Sequence, residues 1–111
     1  MQVREINLEE GMPTCDEALL YLKSAVPASK QRKYKCLIII HGYGSSGKGG
    51  KIREKARQWL NAQVKNGKLK TVINGEDFNI FNSKALELKN KYKELESLTR
   101  VTNHGVTVVE L

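Results

Sequence analysis

The run Leu37-Ile38-Ile39-Ile40 passes directly into His41-Gly42-Tyr43-Gly44-Ser45-Ser46-Gly47-Lys48-Gly49-Gly50, and that into Lys51-Ile52-Arg53. Aliphatic residues with no polar alternation predict a strand buried on both faces, of the kind that sits centrally in a sheet covered by helices. Five glycines in the nine residues 42–50 predict a loop. Beyond it Ile52, Ala56, Trp59, Leu60 and Val64 recur at helical spacing, so a helix over about 51–65 follows at once. Strand, glycine loop and helix in that order commit the chain to an α/β architecture. They also put the loop at the carboxyl end of a strand, where open α/β sheets tend to place ligand sites. Main-chain N–H groups at a helix N-terminus, uncovered by glycine and flanked by cations, attract phosphate. The candidate binding residues are therefore Gly42, Tyr43, Gly44, Ser45, Ser46, Gly47, Lys48, Gly49, Gly50, Lys51 and Arg53.

The remaining segments fall into place around this one. Residues 3–8 alternate apolar and polar, the period of a half-buried strand. Thr14-Cys15-Asp16-Glu17 is a capping box, and Ala18, Leu19, Leu22, Ala25 and Val26 follow it at helical spacing. A first helix over about 15–26 is expected to stop at Pro27. Residues 28–34 form a basic connection to the strand at 35–40. In the second helix each large member of the apolar stripe contributes on the order of 1.5 to 3 kcal/mol on burial, which makes Trp59 a core anchor. Asn66-Gly67 closes that helix with a left-handed cap. Residues 69–73 predict a third strand, 76–82 an irregular stretch holding Phe78, Ile80 and Phe81, 83–98 a helix and 105–111 a final strand. The order β-α-β-α-β-(α)-β describes one domain over residues 1–111: a two-layer α/β sandwich on a mixed four-stranded sheet, with an added helical segment at about 74–104. That segment covers the sheet or offers a face to a protein partner.

At 111 residues the chain buries enough surface to fold without staples. Cys15 and Cys36 stand far apart with no Cys-x-x-Cys pair, so both read as reduced and structural, and no zinc site is expected. Neither a signal peptide nor an apolar run of membrane-spanning length is present, which predicts a cytoplasmic protein with no membrane partner. The formal charge is +7 and unevenly placed: residues 30–57 hold nine basic side chains and one acidic. Read along the sequence, nearly all the excess surrounds the glycine loop, which favours a polyanion such as DNA or RNA.

Gly42-Tyr43-Gly44-Ser45-Ser46-Gly47-Lys48 fits the first seven positions of a P-loop, but the eighth, where Ser or Thr would hold magnesium, is Gly49. Nucleotide binding there is an alternative reading. The better match is to a family. His41-Gly42-Tyr43-Gly44 after a strand, with a basic Trp-bearing helix beyond, resembles the His-Gly-x-Gly motif of small MutS-related (Smr) domains, and Gly105-x-Thr107-x-Val109-x-Leu111 resembles their closing strand. The resemblance implies a fold similar to the C-terminal domain of bacterial translation initiation factor three. It also implies DNA or RNA binding and, in many members, endonuclease nicking linked to an N-terminal Leu-Asp-Leu-His-Gly signature. Here that signature aligns with Ile6-Asn7-Leu8-Glu9-Glu10-Gly11: its histidine is absent and its aspartate is the uncharged Asn7. Binding therefore carries over better than cutting. A nuclease built from this chain would draw on His41 as acid or base and on Glu9 or Glu10 as base or ligand for Mg2+ or Mn2+.

Overall fold

The computed structural model describes residues 2–42, 48–99 and 104–111. Four strands, β1 (Val3–Asn7), β2 (Cys36–Ile40), β3 (Thr71–Asn74) and β4 (Val106–Glu110), form one mixed sheet in the order β1-β2-β4-β3. β1 pairs parallel to β2, while β4 runs antiparallel to both β2 and β3. The uninterrupted aliphatic run thus lies where its pattern requires, next to the centre with all but Ile40 buried. β4 is its inner partner and is buried along its whole length.

Helix α1 (Cys15–Gln31) begins at the capping box: the Glu17 N–H donates to the Thr14 hydroxyl at 3.2 Å, and the Thr14 N–H donates to the Glu17 carboxylate at 2.9 Å. Pro27 does not end it. Proline removes one main-chain donor from a helix but leaves the turns on either side intact, and the turn beyond Pro27 is held from outside. Ser29 is buried, donates to the Ala25 carbonyl at 2.7 Å and accepts from Arg4 of β1 at 2.8 Å. The helix closes instead where Lys33 turns left-handed (φ 67°), with the Lys33 N–H on the Lys30 carbonyl and the Tyr34 N–H on that of Ser29. α2 (Lys48–Lys65) starts earlier than its apolar stripe, so Gly49 and Gly50 belong to its first turn and not to a loop. It ends as expected at Gly67, φ 76°. The helix expected over 83–98 is two shorter pieces: α3 (Ser83–Lys91), then an extended Tyr92 and a 3-10 stretch, Lys93–Thr99. Both pieces bury apolar residues, Leu88 in the first and Leu95 in the second.

The strands alternate, and the two faces of the sheet hold separate cores. On one, Ile6, Leu37, Ile39 and Val109 meet Ala18, Leu22 and Val26 of α1 and Ile52, Ala56 and Leu60 of α2, with Trp59 half-buried at the margin. This is the expected two-layer sandwich. On the other, Val3, Cys36, Ile38, Ile73 and Val108 are covered by Phe78, Ala85, Leu88 and Leu95, so the 75–99 segment supplies a third layer. Cys36 is fully buried there, and burial, with the Glu110 carboxylate beside it, pushes its thiol up to about 12. Both cysteines are free. Among the described residues no helix is long and apolar enough to cross a membrane.

Candidate nucleic-acid interface

Because β1, β2 and β3 all point the same way and β4 opposes them, one edge of the sheet collects three strand ends and one strand start. It brings together Asn7 to Glu10, His41 and Gly42, Gly75 to Asp77, and His104 and Gly105. The two stretches that stood out in the sequence meet here: the His41 and Gly42 N–H groups both donate to the Gly105 carbonyl at 3.0 Å. Gly42 sits at φ 80°, a conformation that favours glycine.

Behind this edge runs a buried polar chain. The His41 ring is fully buried, with Nδ1 3.0 Å from the Gly42 carbonyl and Nε2 2.8 Å from the Thr107 hydroxyl. A carbonyl only accepts, so Nδ1 carries the proton and Nε2 accepts from Thr107. That hydroxyl in turn accepts from Arg57 Nε at 2.9 Å. The Arg57 guanidinium then grips Glu76 through two hydrogen bonds, 3.0 and 2.7 Å, and reaches the Val106 carbonyl at 3.1 Å. Burial, reinforced by the positive charges of Arg57 and Arg53, lowers the His41 pKa to about 4 and keeps the ring neutral. Burial alone would raise the Glu76 carboxyl, but the Arg57 guanidinium outweighs it and holds that group below its ordinary value. His104 lies 3.7 Å from the same carboxylate. Every member of this chain is satisfied, which makes it a rigid brace joining β2, β4, α2 and the 3-10 turn after β3.

The sequence singled out His41 as a motif position and candidate acid or base, but not Arg57, Glu76 or Thr107 as its partners. Arg57 is the last of four cations at alternate positions of α2, after Lys51, Arg53 and Lys55, and the available signal was its place beside Ala56 and one turn before Leu60, on the flank of the buried stripe. Of the predicted binding residues, Lys51 is exposed and Arg53 half-exposed near the start of α2, whose first turn has no acidic side chain. Gly50, Arg53 and Arg57 line the upper part of an open groove of about 610 Å³ that follows α2 down to Lys65. Lys48 and Gly49 begin the helix. Residues 43–47, and with them Tyr43, Gly44, Ser45, Ser46 and Gly47, lie outside the described residues.

Glu9 and Glu10 are exposed on the turn after β1. The Glu9 N–H donates to the Asn7 side chain at 2.9 Å, and its carboxylate lies directly over Gly42, in the space a side chain there would need. Glu10 instead lines a shallow hollow with Asn7, Pro13 and Tyr21. Among the described residues no three His, Cys, Asp or Glu side chains converge.

One expectation about charge is corrected. Lys30, Arg32, Lys33 and Lys35 precede β2, whereas His41 follows it. Five residues of strand, about 17 Å, therefore separate these cations from the glycine-bearing edge. The basic excess of residues 30–57 is divided between opposite edges of the sheet because adjacency in sequence is undone by the strand between.

Searches among curated proteins and among solved structures return no match. A family model does match: the Smr domain, over residues 10–76. That span takes in α1, β2, α2 and β3, including His41 and Gly42 at the edge and Arg57 and Glu76 of the brace behind it. The chain belongs to the Smr domain family.

Proposed function

We propose that this chain binds the sugar-phosphate backbone of DNA or RNA at the edge where β2 ends and α2 begins. Smr domains commonly bind nucleic acid, and the observation that carries the reading is the start of α2. Helices gain stability from carboxylates in the first turn and lose it from cations there. This one has Lys48, Lys51 and Arg53 at its start and no acidic residue in its first turn. An anion seated against that end removes the penalty. The brace behind it keeps β2, β4 and α2 fixed relative to one another, so the helix start with Gly50, Lys51 and Arg53 forms a prepared phosphate cradle. His41 acts as a positioning residue: its two ring nitrogens are engaged inside the protein.

The test is fluorescence anisotropy with labelled single-stranded RNA, single-stranded DNA and duplex DNA at several salt concentrations. Contacts to phosphate carry little sequence preference, and about six of them cost on the order of a thousandfold in affinity between 50 and 200 mM salt. Lys51→Glu with Arg53→Glu is expected to weaken all three probes alike. Unchanged affinity in that variant sinks the reading. A nuclease reading has one observation in its favour, the Glu9 carboxylate over Gly42. Nicking of supercoiled plasmid with Mg2+ or Mn2+, lost in Glu9→Gln, would establish it.

A further inference from the structure

The opposite edge of the sheet carries a second basic surface. There Lys30, Lys33, Lys35, Lys68 and Lys70 surround one hollow of about 360 Å³, which is also lined by Tyr34 and Leu111 and by no acidic side chain. All five lysines are exposed, and none is ion-paired among the described residues. They converge from two connections far apart in sequence, and main-chain bonds fix those connections to each other. Leu111 N–H donates to the Lys35 carbonyl at 2.9 Å and Lys70 N–H to that of Glu110 at 3.0 Å. The Lys30 ammonium donates to the Lys68 carbonyl at 2.9 Å.

Lysines at helix C-termini favour the helix dipole, which accounts for Lys30 near the end of α1. It does not account for Lys35 and Lys70, which stand immediately before strands β2 and β3. Like charges gathered around one hollow repel, and a polyanion relieves that repulsion. α2, with 18 residues, extends about 27 Å, from the first basic surface to the rim of this one. The molecule is 35 Å in its longest dimension. The two surfaces therefore occupy opposite poles.

We propose that the lysine hollow is a second nucleic-acid contact, taking the phosphate backbone of a separate segment, so that one molecule holds two segments at once. The bridging part of this rests on the reading of the α2 start as the first contact.

The experiment uses beads carrying one DNA duplex, a fluorescent duplex in solution, and the protein between them. Wild type is expected to capture the fluorescent duplex on the beads. Lys35→Glu with Lys70→Glu should abolish capture while still binding a single duplex in solution through the α2 start, with the salt slope of that contact kept. Lys51→Glu with Arg53→Glu should also abolish capture, and its remaining single-duplex binding should vanish when all four charges are reversed. Thermal unfolding of each variant, and a milder Lys35→Gln with Lys70→Gln pair, guard against misfolding. Capture that survives in the Lys35 and Lys70 variant, as self-association of the protein would allow, overturns the proposal. So does binding to phosphatidylserine vesicles in the absence of duplex capture. Single-duplex binding untouched in the Lys51 and Arg53 variant but lost in the Lys35 and Lys70 variant defeats the first contact and leaves the hollow standing.

Discussion

The Thr107 hydroxyl gives its proton to His41 Nε2 and takes one from Arg57 Nε. Thr107→Val keeps the shape but orphans both partners, and leaving buried polar atoms unsatisfied costs about 1 to 3 kcal/mol apiece. A loss of about 2 to 3 kcal/mol in urea unfolding is expected. The same residue chain sets a pH dependence. His41 is held at about 4 against an ordinary 6.5, so between those values the unfolded chain binds a proton that the native protein refuses. Its contribution is complete above pH 6.5 and drains away as the pH falls toward 4. The 2.5-unit gap is worth about 3 kcal/mol. Glu17 and Glu76, both held below 4.5, add their losses only further down. Unfolding free energies measured from pH 7 to pH 4 should fall for wild type and stay flatter for His41→Gln. At this scale the sequence was legible for His41 and Thr107 as separate motif positions. Their pairing depends on the β2–β4 register, which no single strand encodes.

Among the elements, α1 exceeds its sequence-based bounds because tertiary contacts override a local stop. The Ser29 bonds to Ala25 and Arg4 are long-range information, invisible to a rule about proline. Pro27 is exposed and contributes nothing to the core, so Pro27→Ala restores a main-chain donor without disturbing packing. An interior proline costs about 3 kcal/mol, offset by about 1 through the unfolded chain. A net gain of about 1 to 2 kcal/mol, read as a higher Tm, is expected. The segment after β3 shows the converse limit. Its three large apolar residues looked equivalent in sequence, yet Phe78 is 1 % exposed and Phe81 90 %. The turn decides between them: Asn79 accepts from the Phe81 N–H at 2.9 Å, and Asn82 caps α3 by accepting from Ala85, which turns Phe81 outward. Phe78→Ala should cost about 3 to 5 kcal/mol, whereas Phe81→Ser should change stability by less than about 0.5. Thermal melts of the pair separate the roles.

For the whole molecule, the informative fact is where the family match ends. It stops at residue 76, just past β3, yet β4 lies between β2 and β3 and closes the sheet. β3 pairs only through β4 among the described strands, and Val106, Val108 and Val109 supply part of both cores. A chain ending at residue 76 would leave β3 detached, the inner edge of β2 open, and the face bearing Cys36, Ile38 and Ile73 without its cover of Leu88 and Leu95. It would also strip His41 and Arg57 of Thr107, and so dismantle the brace on which the proposed cradle depends. The matched region is thus a region of likeness and not a folding unit. A 1–76 fragment is expected to lack a cooperative thermal transition and to bind nucleic acid, if at all, without the loss on Lys51 and Arg53 reversal. Circular dichroism melts and the same anisotropy titration decide this. A cooperative melt with binding still dependent on those two residues would mean that β4 is dispensable, against the reading of the sheet given by its pairing and burial.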